Sequence, residues 1–528
     1  MSTPLAGRSA ARHDFVIIGA GHNGLVCAAT LARAGRSVLV LEAGAVVGGM
    51  AVTREFAPGY RVSAGAHLLH QMPLALMSEL GLAAQGLEFA AQHLPTTALS
   101  VDGAPLQLAM GPAAPAGYGA RDAAAWPAYQ ARLGRFAVLL QGMLAAPAPR
   151  LGTDAWRDKL ALAKVGMKLR LLGKRDMREF LRIVGMNAYD LLEDEFEAPL
   201  LKGALGFDAV LGTNFGPRAP GTVLTLLYRL AAESVAGAAP LSQPRGGLGA
   251  LSAALARAAT AAGATVRTAA PVARITVAGD RASGVVLESG EEIAAGCVVS
   301  SADVKTTFLR LLGTEHLDTG FVRRVDHLRS RGLAAKLHLA LDRAPSFTGI
   351  DGATLGGRLL VSPSLDYLER AFNPSKYGEF SAAPALEITI PTVNDPALAP
   401  SGHHVLSAIV QYAPYEPTGG WDASRGAFTD AILATLEAYA PGLKASIVAR
   451  ELSTPQDLER EFRVTGGHWH HGDLAFDQFY MVRPVPGASQ YSTPLPGLYL
   501  CGASCHPGGG VMGLAGRNAA TRILGQGA

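Results

Sequence analysis

Residues 14–42 constrain this chain more than any other stretch. They read Asp-Phe-Val-Ile-Ile-Gly-Ala-Gly-His-Asn-Gly, continue through an alanine-rich segment and close on Ser-Val-Leu-Val-Leu-Glu. Residues 15–18 form an uninterrupted apolar run, the pattern of a parallel strand buried on both faces. Gly19, Gly21 and Gly24 follow at once in G-x-G-x-x-G spacing. Residues 25–34 have helix-forming composition and stop at Gly35, a residue type suited to closing a helix. Residues 38–41 predict a second strand, with Glu42 at its tip. In such a unit the first glycine permits a tight turn, the second lets the backbone approach a pyrophosphate, and the third lets helix and strand pack closely. The helix start offers free N–H groups and a positive dipole end to the phosphates. Glu42, 23 positions after Gly19, is spaced to accept both hydroxyls of an adenosine ribose. A bare glycine motif is weak evidence. Bracketed by two strands, a helix and the acid, it predicts a bound dinucleotide.

Two further glycine clusters point to FAD rather than NAD. Gly48-Gly49 follows the acidic strand tip and allows a second close backbone approach, towards the ribityl or flavin part of the ligand. Near the other end, residues 497–502 read as a short buried strand, residues 506–510 as a loop almost without side chains, and residues 511–524 as a helix. Gly502, Gly509, Gly510 and Val511 would then face the cofactor. A second helix N-terminus there would stabilise negative charge on a reduced flavin. No second G-x-G-x-x-G for NAD is present, because Gly246-Gly247-Leu-Gly249 has the wrong spacing, and there is no early cysteine pair.

The chain resembles the phytoene desaturase-like flavoproteins, the group of bacterial carotenoid desaturases with a carotenoid ketolase branch. The resemblance rests on Gly-Ala-Gly-His-Asn-Gly-Leu-Val (19–26), Gly-Gly-Met-Ala-Val-Thr (48–53) and Pro-Arg-Gly-Gly-Leu-Gly-Ala-Leu (244–251). It continues in His-Gly-Asp-Leu-Ala-Phe-Asp-Gln (471–478), Arg483-Pro484 and the stretch 497–520. These segments span nearly the whole chain. The resemblance implies FAD, a two-domain fold and redox chemistry on a lipophilic substrate. It leaves the substrate open, since the shared motifs mostly hold the cofactor.

With dinucleotide signatures at both ends, the chain must leave the cofactor domain and return to it. The expected fold is α/β, a discontinuous Rossmann-type FAD-binding domain (13–75, 241–310 and 485–528) with an inserted α+β substrate domain (76–240 and 311–484). The first part of the insert reads as mostly helical, with Pro/Gly-rich breaks near 111–117, 147–152 and 216–221. The second carries strand patterns at 335–341, 385–390 and 405–411. Within 241–310, a helix is expected to about residue 262, and strands at 265–268, 272–277, 284–287 and 297–300.

A formal charge of +3 over 528 residues excludes the strong basic balance of a nucleic-acid binder. No apolar run is long enough for a membrane-spanning helix. Residues 1–13 carry Arg8 and Arg12 without an acid and read as a tail or as a short transit peptide. Four cysteines (27, 297, 501 and 505) make no disulfide framework and suit a reducing compartment. The expected location is therefore cytoplasmic, at the periphery of a membrane, or mitochondrial if the source is eukaryotic. Residues 156–182 hold nine Lys/Arg residues against Asp158, Asp176 and Glu179, interleaved with leucines and other apolar residues. That pattern fits an interfacial helix pair on an anionic membrane, and equally a solvated face. The oligomeric state is not readable.

Flavin oxidation asks little of side chains beyond orientation, desolvation and charge control. Candidate catalytic residues are His471, in the segment matching the family, and His67, which with His70 follows Gly65-Ala66. Arg483 is read either as a partner for an acidic substrate or diphosphate, or as a surface ion pair. Lys336 is a lone cation in a strand pattern. The run His468-Trp-His-His471 invites a metal, but adjacent histidines cannot converge on one ion without a special loop, so no metal is expected. The expected reaction is hydride transfer from a lipophilic, unsaturated or isoprenoid-like substrate to flavin. Alternatives are a ketolase or flavin-dependent isomerase and, in another class, a flavin-bound scaffold with little turnover. An amine oxidase is disfavoured by the lack of a recognisable aromatic pair.

Overall fold

The computed structural model describes residues 13–108, 111, 113–114, 117–152, 154–233 and 241–526. The reading of residues 1–13 as a tail or leader therefore lies, His13 aside, outside the described residues. So do part of the break at 111–117 and the end of the helical stretch at 234–240.

Two seven-stranded sheets organise the chain. The first runs, in spatial order, Val272–Ala278, Arg281–Leu287, Glu292–Ser300, His13–Ile18, Val38–Leu41 and Thr265–Arg267, with Leu498–Leu500 also paired to Glu292–Ser300. Phe15 lies opposite both Val38 and Cys297 in parallel register, and Val298 lies opposite Leu498. Its central strands are buried on both faces, as their unbroken apolar runs require. The helices His22–Arg33, Leu248–Ala261 and Leu514–Gly525 pack on this sheet, and their alanines and glycines keep the layers close. The second sheet is mostly antiparallel and runs Ile447–Ser453, Ala334–Leu341, His404–Gln411, Leu386–Thr389, Arg358–Val361, Thr96–Ala98 and Leu106–Gln107. Helices Ala120–Leu144, Pro199–Val210 and Thr222–Glu233 build a separate apolar core beside it. The chain is thus an α/β fold with a Rossmann-type FAD domain and an α+β substrate domain.

Two helix starts differ from the sequence expectation. The first helix begins at His22, inside the glycine motif, rather than at residue 25. It can do so because Gly24 carries no Cβ; one there would sit 2.1 Å from the Gly19 carbonyl oxygen. The last helix begins at Leu514 rather than 511, after Gly513 takes φ +70°. Sequence reading also missed the strand Arg358–Val361, which is only four residues long, and Ile447–Ser453, where Arg450 and Glu451 interrupt the apolar pattern.

Candidate active site

A single cavity of about 330 Å³ runs from the Gly19–Gly24 loop to the second sheet. At its cofactor end it is lined by Gly19, Gly21, Glu42, Gly48, Gly49 and, from the C-terminal loop, Gly510 and Val511. Gly21 and Gly48 form a parallel β-bridge, so the two glycine loops make one floor. A Cβ on Gly21 would meet nothing within 4 Å, so this backbone faces open space. The first N–H groups of the following helix have no partner within that helix. Glu42 is held in place by the Ala20 N–H (2.7 Å) and the Gly44 N–H (2.8 Å), one on each carboxylate oxygen. Its remaining lone pairs are free to take ribose hydroxyls. Nearby, Asn23 Oδ1 and His22 Nε2 are buried without a partner in the chain. Open glycine backbone, oriented acid and orphaned polar atoms together fit FAD.

Three expected cofactor glycines are placed otherwise. Gly24 lies behind Gly19 and serves the packing of helix on turn. Gly502 and Gly509 are not among the cavity-lining residues: a Cβ on Gly502 would strike the Ser301 carbonyl oxygen at 2.3 Å, and one on Gly509 the His470 Cα at 2.4 Å. Their smallness brings the C-terminal loop close to its neighbours. Because the last helix starts late, the loop at Gly510 and Val511 lines the cavity, and the first turn of that helix does not.

The far end of the cavity is built on buried, mutually paired charge. His67 lines the wall, and both of its nitrogens are engaged. Lys336 Nζ donates to Nδ1 (2.8 Å), so Nε2 carries the ring proton and donates to Glu387 Oε1 (2.8 Å). Glu387 Oε2 accepts from Arg358 Nε (2.6 Å). Arg358 also reaches Asp208 (2.5 Å), which in turn pairs with Arg229 (2.9 Å). Burial, aided by the Lys336 charge, pulls His67 down to about 4, and burial brings Lys336 down to about 7. Arg358 and the His67 contact hold Glu387 well below the usual carboxylate range against its burial. His67 is therefore a neutral, doubly held wall residue rather than a free base. Lys336 stands behind it and does not line the cavity.

His471 lines the cavity, with backbone φ +54° and Nδ1 buried and unpartnered. Burial lowers it to about 4, with the nearby Asp303 opposing. His470 also lines the cavity, while His468 turns away to bond Asp473 (3.0 Å). The histidine run thus splits, and no cluster of three or more metal-ligating side chains occurs among the described residues. Arg483 matches neither sequence expectation. It is 1% exposed and donates to the carbonyl oxygens of His470, Gly472, Asp473, Gln478 and Ala503. It holds together the loop that carries His470 and His471. All four cysteines are free and buried.

Sequence reading missed Asp208, Arg229, Arg358 and Glu387. Glu387 and Arg358 were visible by the same signal as Lys336, a lone charge in a short apolar strand.

Fold and cavity define a flavoprotein oxidoreductase. Residues 24–524 match the family of flavin-containing amine oxidoreductases, and the chain belongs to that family, an FAD-dependent one. Among curated proteins it is similar to pyridine nucleotide-disulfide oxidoreductase domain-containing protein 2 of Mus musculus, 37% identical over 97% of this chain and 94% of that one. It is 28% identical to a limonene dehydrogenase subunit of Castellaniella defragrans, over 97% of this chain and 94% of the other. Phytoene desaturase (lycopene-forming) of Paracoccus is 30% identical over 48% of each chain. Among solved structures, an oxidoreductase from Methanosarcina mazei matches with TM-score 0.60 at 17% identity, over 97% of this chain and 99% of that one. A putrescine oxidase bound to putrescine matches with TM-score 0.59 at 16% identity, over 98% and 99%. At such identities these two share the fold alone.

Proposed function

We propose that this FAD-dependent oxidoreductase dehydrogenates a neutral, lipophilic substrate of unsaturated or isoprenoid-like character. The observation that carries this reading is the charge balance at the far end of the cavity, where Asp208 and Glu387 face Arg229 and Arg358. Every carboxylate lining the cavity is already bonded by the chain: Glu42 by two backbone N–H groups, Asp303 by Thr306 and Thr465, Asp208 by Arg358 and Arg229, and Glu387 by Arg358 and His67. A cationic amine entering the far end would find no uncompensated anion, and its desolvation would cost about 5 kcal/mol. The same wall offers Leu68, Leu211, Tyr228, Ile409, Trp469 and Leu474 to an apolar molecule. The full-length likeness to a limonene dehydrogenase subunit supports the reading.

When bound, FAD supplies the two-electron acceptor. Gly19, Gly21, Glu42, Gly48, Gly49, Gly510 and Val511 would hold it. His67 and His471, kept neutral by burial, would wall the substrate against the cofactor without adding charge. His471 Nδ1, buried without a partner, could hold or move a proton there, whereas both nitrogens of His67 are occupied. Product analysis after turnover with terpenes and polyenes tests the reaction. Loss of two hydrogens supports dehydrogenation; a gain of oxygen or an isomer of unchanged mass would replace it with ketolation or isomerisation.

A further inference from the structure

We propose that the helix Trp156–Leu171 docks the protein on an anionic membrane surface, lying in the headgroup layer. The inference stands apart from the substrate reading, because it rests on the outer face of the molecule. Trp156, Leu160, Met167 and Leu171 are all exposed, with Leu171 at 77% and Trp156 at 67%. At 3.6 residues per turn these four positions fall within about 60° of one another, so they form one stripe along the helix. Cations flank both sides of that stripe. Arg157, Lys164 and Lys168 lie on one side, Lys159 and Arg170 on the other. Apart from Lys159, which pairs with the exposed Asp154, these residues make no ion pair among the described residues. The next helix, Gly173–Ile183, adds exposed Lys174, Arg175 and Arg178, likewise without ion pairs among the described residues.

The opposite face is anchored to the protein. Asp158 is buried and accepts from Gln490 Nε2 (3.1 Å), and Leu169 and Leu172 pack against the helical core. The stripe therefore points outward because the other side is occupied. A purely solvated face gains nothing from an exposed Trp, Met and two leucines in register. A second protein copy would bring the same uncompensated cations together. An apolar stripe bordered by unpaired cations is complementary to an anionic lipid surface. No helix among the described residues is long and apolar enough to cross a membrane, so the contact is interfacial.

The test is co-sedimentation of the full FAD-loaded chain with vesicles of phosphatidylcholine alone and of phosphatidylcholine with phosphatidylglycerol. Binding is expected on the anionic vesicles, weakening with added salt. Lys164→Gln and Lys168→Gln should each weaken it about fivefold, the effect of a basic residue near an anionic leaflet. Leu160→Gln with Leu171→Gln should weaken it further while leaving the visible spectrum of the bound flavin unchanged. Quenching of Trp156 by brominated lipid, lost in Trp156→Phe, places the stripe in the bilayer. Absence of binding to either vesicle overturns the proposal. So does anionic binding that these substitutions leave untouched, or a concentration-dependent dimer that Leu171→Gln dissolves without any vesicle binding.

Discussion

The glycines at 21 and 24 lie three residues apart and serve different ends. Gly21 has space where a side chain would go, and its φ of −67° suits any residue. Gly21→Val should therefore fold with nearly unchanged stability and purify colourless, since the added side chain fills the space a diphosphate needs. Stoichiometric FAD in that variant would contradict the assignment of the loop. Gly24→Ala should do the reverse in order. Its Cβ would collide with backbone, and such overpacking costs about 1–3 kcal/mol, read as a lower urea midpoint. Glu42→Ala should weaken FAD retention less than Gly21→Val, because the ribose hydroxyls keep water as a partner. The spacing rule made these residues legible, since each role is set by local backbone geometry. The role of His67 was not legible, because the groups that occupy its nitrogens lie 269 and 320 residues away in sequence.

At the scale of elements, the parallel strands 38–41 and 265–268 were readable almost to the residue, whereas the expected 284–287 and 297–300 caught only the C-terminal parts of Arg281–Leu287 and Glu292–Ser300. Residues 38–41 were expected and Val38–Leu41 is the strand, because a strand buried on both faces shows itself as an apolar run. The loop from His468 to Arg483 was opaque. Its shape depends on one buried guanidinium collecting five carbonyl oxygens from residues spread over 470–503. Arg483→Met should strand those acceptors at about 1–3 kcal/mol for each one left unsatisfied, a total above about 3 kcal/mol in chemical denaturation. It should also loosen FAD, since His470 and His471 lose their support. Arg483→Lys keeps the charge but not the planar fork, and should recover only part of the loss.

The whole molecule holds an unusual load of buried, neutral imidazole. His22, His67, His471 and His506 are lowered to about 4, and His70, His338 and His470 lie well below their ordinary value, all chiefly through burial. Between about pH 6.5 and pH 4 the unfolded chain binds protons at these sites that the folded chain does not. Stability should therefore fall steeply as pH drops through that window, seen as a falling urea midpoint. A midpoint flat from pH 7 to about pH 5 would contradict it. Lys336 titrates in the same sense but in a higher window. From about pH 7 to pH 10 its unfolded form carries a proton that its folded form loses, so this residue adds stability as pH rises. The stability difference between the native chain and Lys336→Met should shift in favour of the native chain across that range.

The two sheets meet at one cavity whose cofactor end is open glycine backbone and whose far end is charge already balanced against itself. The measurement that tests this account most directly is anaerobic titration of the yellow, FAD-loaded protein, followed by its visible absorbance. A neutral terpene or polyene should bleach the flavin while putrescine and other amines leave it oxidised. Bleaching by an amine with no response to any neutral lipophile would contradict the account, because both carboxylates at the far end, Asp208 and Glu387, are already paired with Arg229 and Arg358.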